Sequence, residues 1–180
     1  MRKAALLLAP FLAAALCASG QETPPGPLKA AFLFRFTQYV EWPETAFESE
    51  TAPFVLGVIG RHPFGSALSQ TVRGETVQGR RVDVTYFTGL NEITNCHVLY
   101  VSDSEWANVD RILALTRNRP ILTVSDLELF GRKGGIIRFL TNTRVRFRIN
   151  LDAAREAKLT ISSRLLRLAE TVESTAAPPK

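Results

Sequence analysis

Cysteine and histidine are scarce in this sequence of 180 residues, with two of each: Cys17 and Cys96, His62 and His97. A structural zinc site draws on about four such ligands in paired spacings, so no metal is expected. The recognisable catalytic signatures are missing too. There is no Gly-x-Ser-x-Gly elbow, no His-Glu-x-x-His, no phosphate-binding P-loop and no Gly-x-Gly-x-x-Gly, so neither a familiar hydrolase nor a nucleotide cofactor is indicated. Past the N-terminus, charges or Gly and Pro interrupt every apolar run before it nears the ~20 residues a membrane-spanning helix needs. No basic tract interleaved with aromatics marks a nucleic-acid surface.

What is present begins with an export signal. Arg2 and Lys3 precede an apolar stretch from Ala4 to Leu16, and Cys17-Ala18-Ser19-Gly20 ends it in small residues. Ala18 and Gly20 satisfy the small-residue rule for cleavage, so residues 1–20 read as a signal peptide and Gln21 as the start of the exported chain. Acylation of Cys17 is the alternative, but bulky Leu16 stands where lipoprotein signals place a small residue. Cleavage removes two of the 22 basic residues and lowers the net charge from +5 to +3. It also leaves Cys96 alone, so the exported chain closes no internal disulfide. Cys96 opens the run Val98 to Val101, and burial is the expected fate of its thiol.

The remainder suits one domain, residues 28–173, between a short linker at 21–27 and a flexible tail at 174–180. Leu28, Phe32, Phe36, Tyr39 and Val40 recur at helical spacing up to Pro43. Strands are expected at Phe54–Ile59, Val82–Phe87, Val98–Val101, Ile121–Val124, Ile136–Leu140 and Val145–Ile149. The uniformly apolar Val98–Val101 suits the centre of the sheet. Helices fall at Phe64–Val72, from Ser102 to about Thr116, from Asn150 to about Lys158, and after Ser162 with Leu165, Leu166, Leu168, Ala169 and Val172 inward. Alternating strands and helices predict an α/β fold of three layers: a largely parallel sheet of five to six strands flanked by helices, closed by a C-terminal antiparallel hairpin.

Three features are candidates for function. In open α/β sheets ligands favour the crevice beyond the carboxyl ends of the strands, here Gly60-Arg61-His62, Ser102-Asp103 and Ser125-Asp126. A helix starting beside His62 would suit an anion, although glycine, serine and aspartate are also ordinary turn and cap residues. Second, alternation aligns Arg144, Arg146 and Arg148 on the outer face of one strand, ~7 Å apart, with Arg138 on its hairpin partner. They form either a platform for an acidic partner or membrane headgroups, or the solvated face of an edge strand. Third, the first helix is apolar on most sides, which implies a place inside the core or a protein interface around Phe34 and Trp42. Arg35 borders its apolar arc and is expected to be partly buried. Cys96 and His97 are adjacent on a strand and point to opposite faces, so they read as packing residues rather than a nucleophile and base.

Several stretches, taken in order, resemble the YfiR-like family of periplasmic proteins. They are Lys29-Ala30-Ala31-Phe32-Leu33-Phe34-Arg35-Phe36 through Trp42-Pro43, Cys96-His97-Val98-Leu99-Tyr100-Val101-Ser102, and Ile121-Leu122-Thr123-Val124-Ser125-Asp126. Gly134-Gly135-Ile136-Ile137, Arg146-Phe147-Arg148-Ile149-Asn150-Leu151 with Ala153-Ala154, and Ile161-Ser162-Ser163-Arg164-Leu165-Leu166 complete the set. The resemblance covers roughly Leu28 to Glu170. It implies a periplasmic regulator without enzymatic activity or cofactor, often a homodimer, that restrains the periplasmic part of an inner-membrane sensor or diguanylate cyclase and is itself sequestered by an outer-membrane lipoprotein. Partner binding would then fall to Phe34, Arg35, Trp42, Arg144, Arg146 and Arg148. The alternative is a small-molecule (anion) binding module feeding a membrane sensor through Gly60, Arg61, His62, Ser102, Asp103 and Ser125. Disulfides known in the family have no counterpart here, because only Cys96 remains after cleavage.

Overall fold

Runs of β-branched and aromatic residues between turn formers become strands, and the computed structural model describes residues 25–141 and 145–173. The signal at 1–20, linker residues 21–24, Arg144 and the tail at 174–180 lie outside the described residues. Helix α1, Pro25–Thr37, is followed by strands β1, Val40–Glu41, and β2, Phe54–Ile59. Then come α2, Ala67–Thr71, β3, Thr76–Val77, β4, Arg80–Phe87, and β5, Val98–Val101. Helix α3, Val109–Thr116, leads to β6, Leu122–Ser125, and the hairpin β7, Ile137–Thr141, with β8, Val145–Asn150. The chain ends through α4, Leu151–Glu156, β9, Thr160–Ile161, α5, Ser163–Leu168, and β10, Thr171–Glu173.

The main sheet runs β10-β8-β7-β6-β5-β2-β4, with short β3 folded back beside β4, and β1 with β9 forms a separate antiparallel pair. Neighbours from β4 to β7 are parallel, as are β10 and β8. The expected hairpin is antiparallel and pairs Ile137 with Ile149, Arg138 with Arg148 and Phe139 with Phe147. Strand β5 lies between β2 and β6, as its unbroken apolar sequence implied. Alternation divides the core in two. Val98 and Tyr100 join a large cluster with Leu33, Phe36 and Phe139, while Leu99 and Val101 join another with Ile112 and Phe130.

The strand count is a correction. Thr171–Glu173 was expected to continue the last helix, but that helix stops at Leu168 and the chain pairs with β8 instead. Leu168, expected inward, is 61% exposed. Strand β8 is consequently an interior strand rather than an edge. Helix α1 also begins earlier, so Pro25-Gly26-Pro27 form its first turn rather than a linker. Proline fits there because the first helical amides have no partner within the helix. Gly26 is set by a close approach: a Cβ on it would lie 2.4 Å from the Pro63 carbonyl oxygen.

The inward face of α1 is Ala30, Leu33, Phe34 and Phe36, while Leu28 is 40% exposed. Periodicity alone gave a different arc because this helix packs against both the sheet and α2. Phe36 sits edge-on to Phe147 at 5.0 Å and against Phe139 at 5.6 Å, geometries that add to simple burial. Arg35 lies on the exposed side, so its expected partial burial does not occur. Among the described residues no helix is long and apolar enough to cross a membrane.

Candidate functional site

The parallel strands β2, β4, β5 and β6 all end on one side of the molecule, and their exits build a rim. Gly60 leaves β2 with φ +83, and a Cβ there would lie 2.5 Å from the Ser104 hydroxyl. The glycine is therefore required by the chain's own loop packing, where a left-handed conformation and close approach coincide. The Arg61 amide donates to Ser104 Oγ at 2.9 Å, tying the first exit loop to the third. Ser102 is buried and accepts the Ser104 amide at 3.4 Å, capping the short turn Asp103–Glu105. His62 is exposed and packs its ring 4.6 Å from that of Tyr86. Arg61 and Asp103 face each other at 4.0 Å with most of both side chains in solvent, a pairing that adds little stability.

Gly60, Arg61, His62, Ser102 and Asp103 thus do come together. Ser125 does not reach the rim: it is fully buried. Its hydroxyl donates to the Val101 carbonyl at 2.7 Å and accepts the Leu127 amide at 3.1 Å. The helix expected beside His62 is also displaced. Residues 63–66 form turns, and the five-residue α2 starts only at Ala67, so no helix terminus is offered there to an anion. Pro63 contributes a wall instead.

Beside this rim lies a cavity of about 320 Å³ lined by Lys29, Pro63, Tyr100, Asp103, Asp126 and Arg138, with Phe139. Three of its polar groups satisfy one another. Lys29 Nζ meets Asp126 Oδ1 at 2.9 Å, and the Tyr100 hydroxyl donates to Asp126 Oδ2. Burial, then the adjacent Asp126 carboxylate, push the Tyr100 hydroxyl far above its ordinary range, so it stays protonated and works as a donor. Lys29 and Arg138 are matched in number by Asp103 and Asp126 along the lining, which leaves this crevice without a surplus charge for an anion. Sequence reading missed this trio. Its signal was a lysine one position after Leu28 on a helix whose other inward residues, Thr37 apart, are apolar.

The partner-binding candidates are distributed differently. Phe34 and Trp42 are 8% and 6% exposed, so the expected exposed surface around them is corrected to core. Trp42 stacks edge-on with Phe54 at 4.9 Å and its indole Nε1 donates to the His97 carbonyl at 3.1 Å. Arg146 is exposed and pairs with Glu170 at 3.1 Å. Arg148 is half-buried opposite Arg138. Trp106, which sequence reading passed over, is 71% exposed just past the capped turn at the rim. A tryptophan immediately after the Ser-Asp-Ser-Glu turn of a central strand was the available signal.

At the opposite end, Cys96 and His97 are structural. His97 Nδ1 accepts the Val55 amide at 2.9 Å, so Nε2 carries the proton and donates to the Ala46 carbonyl at 3.2 Å. Its ring stacks between Phe47 at 4.6 Å and Phe54 at 4.7 Å. Burial lowers its pKa below the usual histidine value, outweighing the bond to the Ala46 carbonyl, which favours the proton. Burial raises the free Cys96 thiol to about 12, so it is not a thiolate nucleophile. Arg80 lies 3.9 Å over the Phe47 ring and donates to the carbonyls of Ser49, Glu50 and Ala52, which pins the loop before β2. Among the described residues no cluster of acids, histidines and cysteine is arranged to hold a metal.

A model of the YfiR/HmsC-like family matches residues 27–170. Among curated proteins none matches the chain. Two solved structures share its fold. A conserved domain protein of Vibrio cholerae superimposes with a TM-score of 0.54 at 9% identity, over 84% of this chain and 61% of that one. An ABC domain of Streptococcus pneumoniae in complex with L-Trp gives a TM-score of 0.50 at 12% identity, over 67% of this chain and 56% of the other. The chain thus spans roughly three-fifths of each, and at such identities the likeness is one of fold alone.

Proposed function

As the chain belongs to the YfiR/HmsC-like family, we propose that it works in the bacterial periplasm as a non-enzymatic regulator, binding the periplasmic part of an inner-membrane signalling protein and restraining it. The partner is a membrane-bound diguanylate cyclase, an outer-membrane lipoprotein competes for the same regulator, and the working unit is a homodimer. Regulation needs no bond chemistry. Differential affinity for two states of the partner is sufficient to shift it between them. The signal-like residues 1–20 support export, and the mutual pairing of Lys29, Asp126 and Tyr100 in the rim cavity favours a binding role over a catalytic one.

The observation that carries this reading is Trp106, 71% exposed on the rim. Arg61, His62 and Tyr86 stand on neighbouring exits of the same rim. Large exposed aromatics beside arginine are the residue types that anchor protein interfaces, and truncating such an anchor costs about 2 kcal/mol or more of binding. Trp106→Ala should therefore weaken binding to the purified periplasmic domain of the cyclase about 30-fold. Its thermal stability should stay at the wild-type value, because the side chain packs on little. Affinity unchanged within about twofold in a folded variant would move the interface elsewhere.

A further inference from the structure

A second, smaller cavity of about 160 Å³ lies on the other side of Arg138, between the β7–β8 hairpin and the loop that precedes β7; its wall includes Glu128, Arg132, Arg138, Arg148 and Asn150. Register places Arg138 and Arg148 directly opposite each other, where side chains on adjacent strands stand about 5 Å apart at Cβ and like charges repel. The Nε–H groups of both are buried and have no hydrogen-bond partner. Neither side chain makes an ion pair or hydrogen bond with another described residue. A buried donor without an acceptor is costly, and here two such donors belong to two repelling cations. Arg146, one step along the same face, has Glu170 at 3.1 Å, so the deficit is confined to this pair.

The surrounding chain holds the cavity open. Asn150 Nδ2 donates to the Gly131 carbonyl at 2.9 Å while its Oδ1 accepts the Ala153 amide at 3.0 Å. One side chain thereby fastens the loop to the end of β8 and to the start of α4. Arg132 is exposed at the mouth, and Glu128, also exposed, is the one acid on the wall. Three arginines against one glutamate leave an excess of positive charge. The volume is below the ~300–1,000 Å³ of sites for drug-sized ligands, yet several times the ~30 Å³ share of a water molecule.

We propose that this cavity is a binding site for a small oxyanion, of the phosphate or carboxylate class, held between Arg138 and Arg148 with Arg132 at its entrance. Two oxygens of one anion supply the acceptors both Nε–H groups lack, and its charge relieves the repulsion across the hairpin. The site is separate from the Trp106 rim, so its failure would leave the partner-binding proposal intact.

Isothermal titration of the full exported chain with inorganic phosphate and, separately, malonate tests this at matched ionic strength, since surface attraction is screened by salt. One saturable site is expected for at least one probe, and the tighter probe names the oxyanion class. Arg138→Gln and Arg148→Gln should each weaken it tenfold or more, whereas Arg164→Gln on exposed α5 should not. The same probe should raise the wild-type melting temperature, a readout that stands even if a variant folds poorly. Absence of saturable heat from both probes would overturn the proposal, as would binding retained in both hairpin variants.

Discussion

Trp42 offers the sharpest test of how the first helix and the segment after it are used. The side chain is buried and its indole N–H donates to the His97 carbonyl at 3.1 Å. That carbonyl also accepts the Leu122 amide at 2.8 Å, so Trp42→Phe leaves it with one donor rather than none. The lost bond alone is then worth the net value of ~0.5–1.5 kcal/mol, not the larger cost of an orphaned group. The smaller ring adds a void beside Phe54, bringing the total to about 1–3 kcal/mol. Trp42→Ala also removes the edge-on contact with Phe54 and should cost about 3–5 kcal/mol. Urea unfolding followed by circular dichroism reads both, and for a domain of this size each kcal/mol also lowers the melting temperature by about 2–4 °C. Trp42→Phe should keep full affinity for the partner once folded. A Trp42→Phe protein as stable as wild type that has lost partner binding would refute the burial argument and return Trp42 to an interface.

Gly57→Ala should destabilise by about 1–3 kcal/mol by the same urea assay, because a Cβ there would lie 2.4 Å from the Phe87 ring and 3.3 Å from Cys96 Cβ; an unchanged midpoint would mean Phe87 moves freely. His97 should make stability fall as pH drops. Its folded pKa is depressed by burial, so below the unfolded value near 6.5 the unfolded chain takes a proton the folded one resists, at a slope of up to about 1.4 kcal/mol per pH unit. The fall from pH 7 to 5 should be shallower in His97→Asn, and equal slopes would contradict this assignment. Cys96, with its thiol raised to about 12, should resist a thiol reagent at pH 8 until urea unfolds the chain, and rapid native labelling would show it to be accessible.

The strands were legible because their signals are local. Phe54–Ile59 and Val98–Val101 are apolar runs between turn formers, and the hairpin repeats every second residue. Other features depended on tertiary partners. Thr171–Glu173 is three residues long, and only pairing with β8 makes it a strand. Helix α1 is apolar nearly all round, so its sequence could not tell a sandwiched helix from an interface, and Phe34 falls to the core because α2 and the sheet cover it. At the rim, the turn chemistry of Gly60 and Ser102 was readable, but whether those groups were free was not. Ser104 and Glu105, distant in sequence from Gly60, fill the space a ligand would have used. Arg138 and Arg148 were visible as neighbours on one hairpin, whereas their lack of any acceptor required the packed loop around them.

The central claim, restraint of a membrane-bound diguanylate cyclase, is tested most directly by cellular cyclic-di-GMP. Deleting the gene should raise it, restoring the wild-type chain should lower it again, and a folded Trp106→Ala chain should fail to do so. Cyclic-di-GMP that is the same with and without the protein would contradict the account.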